Sequence, residues 1–279
     1  MRLAVGLCLA GVLIATSASA EPPKGYVLRW RQTFRSIADL DRVNWLHETG
    51  DGGPKLPGWG NGERQVYTGE DRNLFVEDGR LHIRAIVADA NRPGGEGPTS
   101  ARIMTRPGRL PNYGYFEIRA SLPCGAGAWP AIWLLGESGD WPARGEIDIA
   151  EWSGRYFQHD ELQSALHATD FHGAQARVAR YRVKPACGAF HVFKLLKTAD
   201  EIRVAVDHDL DHPDLTYHRP VSAGAGSWPY DQPMQLILNV AVGGALGGDA
   251  PRGSGPFDLV VDEIAVFVPS VTTAVRRSP

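Results

Sequence analysis

The sequence shows no marked excess of either charge and contains few cysteines. Lys and Arg number 29 against 32 Asp and Glu, which gives a formal net charge of −3. A chain that binds nucleic acid or an anionic membrane through electrostatics is usually basic, so this balance disfavours both partners. The cysteines form no C-x-x-C pair, and H-E-x-x-H, G-x-S-x-G and P-loop motifs are missing. Zinc-ribbon, metalloprotease, serine-hydrolase and nucleotide-binding chemistry are therefore not supported.

Only one apolar run is long enough to suggest targeting, and it lies at the start of the chain. Arg2 precedes an apolar stretch at residues 3–15, and Ala-Ser-Ala follows at residues 18–20. This pattern predicts a cleaved signal peptide over residues 1–20, because a membrane span needs about 20 apolar residues. An uncleaved anchor is the alternative. We expect a secreted or periplasmic protein with no membrane contact after cleavage.

The rest of the chain lacks helical periodicity and shows short stretches of alternation instead. In residues 115–122, Phe116, Ile118 and Ala120 share one face, and the intervening residues are mostly polar. Residues 81–87 and 202–206 alternate in the same way. Many short strands separated by Gly and Pro turns predict a single all-β domain over residues 21–279, built as a sandwich or a barrel.

The densest group of acids is the string Glu-Ile-Asp-Ile-Ala-Glu at residues 146–151. Isoleucines alternate with Glu146 and Asp148, which is typical of a strand with one face in the core. Strict alternation would turn Glu151 into that core, where an unpaired carboxylate is unfavourable. We therefore predict a β-bulge near residues 149 and 150, because one extra residue returns Glu151 to the acidic face.

These aligned acids repel one another, so a purely structural strand gains nothing from them. A retaining glycosidase needs an ionised carboxylate as nucleophile and a second, protonated carboxyl group about 5 to 5.5 Å away. Glu146 and Glu151 are the candidates, and Asp148 can hydrogen-bond to the nucleophile and help to separate the pKa values of the two glutamates. A surface strand with solvated acids is the alternative that spacing alone leaves open.

Further motifs accompany this string along most of the chain. They are W-G-N-G-E at 59–63, T-S-A-R-I at 99–103, Y-G-Y-F-E at 113–117, W-P-A-I-W at 129–133, W-P at 141–142, F-H at 190–191, V-D at 206–207 and L-N-V-A-V-G-G at 238–244. Together with the acidic string they resemble glycoside hydrolase family 16, in the bulged form of the laminarinases (endo-1,3-β-glucanases). The resemblance implies a β-sandwich jelly roll of two curved antiparallel sheets with a concave substrate cleft.

The resemblance also implies roles for individual residues. Glu146 would be the nucleophile, Glu151 the acid and base, and Asp148 the residue that orients Glu146. The expected substrate-binding residues are Asn61, Glu63, Arg102, Trp133, Trp141, His167, Gln235 and Asn239. Two alternatives remain from the residues alone, a surface salt bridge for Arg102 and a core position for His167. For Trp129 and Trp152, a position in the core and a direct contact with the sugar are both open.

The sequence departs from the family pattern at three places. Gly62 stands where the family more often has Asn, and Ala245-Leu246 stands where it usually has Asn-Trp, so an aromatic platform is lost. Asp262 matches one ligand of the family's structural calcium, but Gln32-Thr33 replaces the acidic partner near the first strand. We therefore expect no required cofactor and no metal in catalysis, and the structural calcium is doubtful.

Two cysteines, Cys124 and Cys187, remain after cleavage of the signal peptide. Each stands in a loop next to a predicted strand, and an oxidising compartment permits a disulfide. We predict that they pair; two free buried thiols are the alternative.

The predicted function is retaining hydrolysis of a polysaccharide, with a β-1,3-glucan of the laminarin type as substrate and a monomeric enzyme. A mixed-linkage β-glucan, a galactan or an exopolysaccharide is the alternative within the same class. A glucan-binding protein without activity is the alternative from another class, and the presence of both glutamates disfavours it.

Overall fold

The computed structural model describes residues 20–270, except residues 22, 42, 90, 93 and 223. The predicted signal peptide lies outside the described residues, apart from residue 20, and stays a prediction. Within the described part of the chain, no helix is long and apolar enough to cross a membrane. The structure is almost entirely β, as expected.

The strands are, in chain order, β1 (Tyr26–Thr33), β2 (Trp45–Glu48), β3 (Val66–Tyr67), β4 (Leu74–Glu77), β5 (Arg80–Asp89), β6 (Gly97–Ser100), β7 (Arg102–Thr105), β8 (Gly114–Ser121), β9 (Ala128–Gly136), β10 (Glu146–Glu151), β11 (Glu161–His167), β12 (Arg177–Arg182), β13 (His191–Lys197), β14 (Glu201–Val206), β15 (Leu215–His218), β16 (Met234–Val242) and β17 (Phe257–Pro269). The helical segments in the described part of the chain are three 3₁₀ turns (Ile37–Asp39, Pro57–Gly60 and Gly173–Gln175) and the single-turn helix α1 (Gly244–Gly247).

These strands form two sheets. The first, with ten strands, runs in the order β15-β14-β13-β8-β17-β5-β6-β3, with β1 beside β17 and β4 beside β5. The second, which we call the cleft sheet, runs β12-β11-β10-β9-β16-β7-β2. Among the described strands only β3 and β6 pair in parallel. This arrangement is the predicted jelly-roll sandwich.

The main apolar core takes side chains from both sheets. Phe116 and Ile118 of β8 enter it from the first sheet, and Leu134, Ile147 and Leu238 enter it from the cleft sheet. Burying a side chain of this size stabilises the fold by roughly 1.5–3 kcal/mol. The alternation predicted for residues 115–122 is therefore confirmed, and it fixes which face of each strand meets the core.

A β-bulge interrupts β10 at the predicted position. On the β9 side, Asp148 pairs with Trp133 and Ala150 with Ile132, so β10 contains one residue more than β9 over this interval. Ile149 and Ala150 are both fully buried. The bulge thus places two successive residues toward the core and returns Glu151 to the face that carries Asp148.

The predicted disulfide is present. Cys124 and Cys187 are bonded across a sequence separation of 63 residues, with their Cα atoms 5.6 Å apart. A parallel bridge between Leu122 and Cys187 lies beside the disulfide. The bond therefore joins the loop after β8 to the segment that leads into β13.

Asp262, the residue that matched a calcium ligand, is surrounded by positive charge. The Oδ2 atom of Asp262 accepts a 2.7 Å hydrogen bond from Arg119, and Oδ1 lies 3.5 Å from Nε of Arg80. Calcium prefers a set of six to eight oxygen ligands, several of them anionic. These two guanidinium groups do not fit such a set.

Candidate active site

Cross-strand register brings distant residues into rows on the cleft sheet. One row runs from Gln163 on β11 through Glu151, Ala131 and Asn239 to Arg102 on β7. It ends at Glu48 on β2. Residues that face each other in such a row have side chains on the same face of the sheet. The predicted cleft residues therefore share one surface although more than a hundred residues of sequence separate some of them.

Glu151 is held by two N–H donors. Trp129 donates its indole N–H to Oε1 at 2.8 Å, and Gln163 donates its amide N–H to Oε2 at 2.8 Å. The residue is 6% exposed. Because both oxygens are bonded, the carboxyl plane is fixed on the floor of the cleft.

Glu146 has a different environment on the same strand. Trp141 donates its indole N–H to Oε2 at 2.9 Å, and Nε2 of His167 lies 3.8 Å from Oε1. Burial raises the pKa of Glu146 to about 8, and the negative charges of Asp148 and Glu151 act in the same direction. His167 and the hydrogen bond from Trp141 oppose this shift.

Asp148 lies deepest of the three acids and is 3% exposed. Burial raises its pKa well above the ordinary value, and the charge of Glu151 adds to the effect. A hydrogen bond with Glu146 opposes this shift in the pKa of Asp148. A buried pair of carboxyl groups retains a proton at neutral pH, because two adjacent charges in a poorly solvated site are unfavourable. We assign that proton to Asp148, the more deeply buried member, so Glu146 is the member that ionises first, with a pKa of about 8.

His167 faces both acids with one ring nitrogen. Nε2 lies 3.1 Å from Oδ2 of Asp148, while Nδ1 accepts a 3.2 Å hydrogen bond from the backbone N–H of Gly173. A nitrogen that accepts a hydrogen bond carries no proton, so we assign the ring proton to Nε2. The Gly173 contact thus directs the positive end of the imidazole dipole toward the acids.

Glu146, Asp148 and His167 together form a candidate metal site. One ligand atom each from Glu146, Asp148 and His167 lie within 4.8 Å of one another. A histidine that binds a metal usually donates its other ring N–H to an acceptor. Here Nδ1 meets a donor, Gly173, so Nε2 has no lone pair to offer a metal. The cluster is a poor fit to a metal centre.

Arg102 lies between two indole rings. Its guanidinium carbon is 4.4 Å from the ring centroid of Trp59 and 4.9 Å from that of Trp133, and Nε bonds to Glu48. The Arg102 side chain is 9% exposed. Arg102 therefore forms a salt bridge, as the alternative interpretation held, but that bridge lies within the cleft and fixes an arginine between aromatic rings.

A second network connects Asn239 to the loop before β3. Asn239 accepts a hydrogen bond from the Trp133 indole at 2.8 Å and donates one to the Tyr67 hydroxyl at 3.0 Å. Tyr67 in turn donates to Glu63, which also accepts from Asn61. Burial, and then the charge of Glu63, raise the pKa of Tyr67 well above its usual value, so the phenol stays protonated.

Comparison with known proteins agrees with this geometry. The model of glycosyl hydrolases family 16 matches residues 67–255. A β-glucanase from Rhodothermus marinus is 36% identical over 273 residues, which cover 93% of this chain and 91% of the relative. The chain belongs to glycoside hydrolase family 16. It is therefore a glycoside hydrolase, and its substrate is a polysaccharide.

Solved structures of the family show the same fold. A laminarinase from Flavobacterium sp. UMI-01 superposes with a TM-score of 0.76 at 37% identity, covering 87% of this chain and all of the other. SCLam, a non-specific endo-β-1,3(4)-glucanase, has a TM-score of 0.79 at 31% identity, covering 90% of this chain and 94% of the other. The jelly roll and its cleft are thus features of β-glucanases.

Three further candidates of this family 16 enzyme differ in exposure: two are buried and one is exposed. Gln235 shares the cleft side of β16 with Asn239, but its amide N–H bonds to the backbone oxygen of Thr105 at 2.6 Å and the residue is 4% exposed. Trp152 is 2% exposed and lies in the core. Trp141 is 47% exposed at the opening of the site, where a ligand can reach its ring.

Four residues of the cleft are not indicated by the sequence: Glu48, Tyr67, Gln163 and His172. His172 packs edge-to-face on Trp141 with ring centroids 5.3 Å apart. Nothing in the local sequence distinguishes these four from ordinary surface or core positions. Glu48 and Gln163 occupy polar positions of alternating strands, but only the cross-strand register shows that Glu48 meets Arg102 and that Gln163 meets Glu151.

Proposed function

We propose that this glycoside hydrolase is a retaining endo-β-1,3-glucanase. The observation that carries the proposal is the bulge in β10, which brings Glu146, Asp148 and Glu151 together on the floor of the cleft. The exposed indole ring of Trp141 lies at the opening of this cleft. A pair of carboxyl groups in distinct environments is what double displacement at an anomeric carbon requires. An open concave cleft suits cleavage within a long chain.

In the proposed reaction Glu146 attacks the anomeric carbon and forms a glycosyl-enzyme. Glu151 donates its proton to the departing glycosidic oxygen and then takes a proton from the incoming water. Water attacks the same face from which the leaving group departed, so the configuration is retained. Trp129 and Gln163 keep the Glu151 carboxyl group in position for both proton transfers.

Asp148 and His167 prepare Glu146 for attack. In this scheme Asp148 carries the proton of the pair and shares a hydrogen bond with Glu146, so that ionised Glu146 faces a neutral group and not a second negative charge. The Nε2–H of His167 adds a favourable dipole beside both acids. No step in this scheme uses a metal ion, and we expect activity to persist in the presence of a chelator.

The roles of the two glutamates can be tested by chemical rescue. In Glu146→Gly, azide can enter the space left by the nucleophile and attack directly, which gives a glycosyl azide of inverted configuration. In Glu151→Gly, azide intercepts the glycosyl-enzyme and gives the retained product. NMR of the azide products distinguishes the two outcomes, and the reverse assignment of products would refute the proposed roles.

The linkage preference rests on similar proteins, whose names include an endo-1,3-β-glucanase and a non-specific endo-β-1,3(4)-glucanase. Product analysis on laminarin and on lichenan compares the two. Hydrolysis of lichenan alone would favour a mixed-linkage enzyme, and hydrolysis of neither would favour another polymer. Binding of laminarin without release of reducing ends would favour a glucan-binding protein. Export to the periplasm or the medium is also proposed, and N-terminal sequencing of the mature protein would test cleavage after residue 20.

A further inference from the structure

A cavity of about 480 Å³ lies at the rim of the cleft, beside the loop that carries Asn61. Its walls include Arg64, Arg155, Gly244 and Ala245. Asn61 connects this cavity to the cleft network through its hydrogen bond to Glu63. The proposed reaction does not use either arginine.

Both arginines are fixed to the same short segment of backbone. The N–H of Arg64 bonds to the carbonyl of Val242, and the N–H of Arg155 bonds to the carbonyl of Leu246, each at 2.9 Å. Although 91 positions separate them in the sequence, the turn around α1 thus holds both residues at one cavity.

Two glycines in this turn make room for the arginine side chains. A Cβ atom on Gly243 would lie 2.9 Å from Cδ of Arg64, and one on Gly248 would lie 3.0 Å from Cβ of Arg155. Both glycines also have positive φ angles, 76° and 70°. A side chain at either position would displace an arginine, so the turn is shaped to seat the two stems.

The charge of the cavity is suited to a single negative group. Asp249 also lines the cavity, and its carboxylate lies 3.7 Å from the Arg64 guanidinium. With two arginines and one aspartate, the cavity lining has a net charge of +1. The Asp249 side chain is 98% exposed, so a ligand can replace it as the partner of Arg64. Guanidinium groups bind carboxylate and sulfate oxygens in a bidentate manner.

We propose that this cavity binds an anionic substituent, a carboxylate or a sulfate ester, carried by the polysaccharide substrate. The inference rests on the proposed glucanase function, because it assigns a decorated β-glucan to the same cleft. Ala245 and Leu246 stand where the family usually has Asn-Trp, so the aromatic platform is lost, and the small Ala245 side chain leaves the cavity open to such a group.

The test compares neutral laminarin with carboxymethylated and with sulfated laminarin. For each protein the measured quantity is the ratio of kcat/KM on the anionic polymer to kcat/KM on the neutral one. In the double variant Arg64→Gln/Arg155→Gln we expect this ratio to fall roughly tenfold, because two charge-assisted hydrogen bonds are lost. In Asp249→Asn we expect it to rise, because a competing negative charge is removed. Salt should reduce both changes.

Arg182→Gln provides the matched control. Arg182 is also exposed and paired with an aspartate, Asp160, but it lies on β12. A fall of the ratio in either the carboxylate or the sulfate arm, absent from the control, supports the proposal. A ratio that stays within about twofold of wild type in both arms, as expected for surface arginines that contribute little, overturns it.

A binding measurement separates this inference from the proposed function. Calorimetry with Glu146→Gln and carboxymethylated laminarin oligosaccharides, with and without the two arginine substitutions, does not need turnover. If wild type fails to hydrolyse neutral laminarin but affinity still depends on the arginines, the glucanase proposal fails and the anion site stands. If neutral laminarin is hydrolysed and affinity is independent of the arginines, only the anion site fails.

Discussion

Glu146 and Glu151 are the same residue type on the same strand, yet their surroundings differ in kind. Glu151 has an N–H donor on each oxygen, from Trp129 and Gln163. Glu146 has one indole donor and a buried acid beside it, and its pKa is raised to about 8. The difference shows that one β-bulge can divide a single strand into two chemical environments, because it changes which neighbours each side chain meets.

The largest expected effect comes from removing the acid and base. In Glu151→Gln we expect kcat/KM on laminarin to fall by roughly 10²–10⁴-fold, the contribution of a positioned acid and base. Deleting Ala150 leaves Glu-Ile-Asp-Ile-Glu, in which strict alternation keeps the second glutamate on the cleft face, so this variant should lose much less activity. A deletion variant that folds but loses as much activity as Glu151→Gln would show that the bulge does more than return Glu151 to the cleft face.

Asp148 should act as a neutral hydrogen-bond donor to Glu146. Asp148→Asn keeps a donor of the same shape, whereas Asp148→Leu removes it and leaves Glu146 without this partner. We expect the Leu variant to lose at least roughly tenfold more kcat than the Asn variant, in line with a hydrogen bond to a charged group. Circular dichroism and thermal unfolding control for misfolding. Equal losses would contradict a proton on Asp148.

The two indole donors should differ in their dependence on the leaving group. Trp129→Phe weakens the positioning of Glu151, so kcat/KM should fall roughly tenfold on laminarin but much less on an aryl β-glucoside, whose good leaving group needs little protonation. Trp141→Phe affects Glu146 and should slow both substrates. The same pattern in both variants would remove the distinction drawn between the two glutamates.

The smallest effect concerns stability. The pKa of Glu146 is raised from 4.5 to about 8, so between these pH values the native state binds more protons than the unfolded chain. The free energy of unfolding therefore decreases as pH rises through this range. In Glu146→Gln the decrease in Tm from pH 5 to pH 8 should be smaller than in wild type, by about 2 °C or more. Glu77→Gln, an exposed change on β4, serves as the control and should follow wild type.

Local sequence patterns predicted much of the structure, because a strand has a side-chain period of two. That period identifies the core face of β8, and the conflict between Glu151 and a buried position indicates the bulge from the sequence alone. The disulfide between Cys124 and Cys187 was also predicted. In each case the deciding information lies within a few residues, or in a small set of cysteines.

Only the tertiary structure determines which polar side chains bond to each other. Glu48 meets Arg102 across 54 positions, Trp133 meets Asn239 across 106, and Gln235 is bonded to a backbone oxygen 130 positions away. Arg64 and Arg155 come together only through the turn at α1. The sequence by itself determined which face of each strand is polar and where β10 must bulge. Which polar side chains then meet depends on the order and register of strands that are distant in the chain, and no local periodicity contains that information.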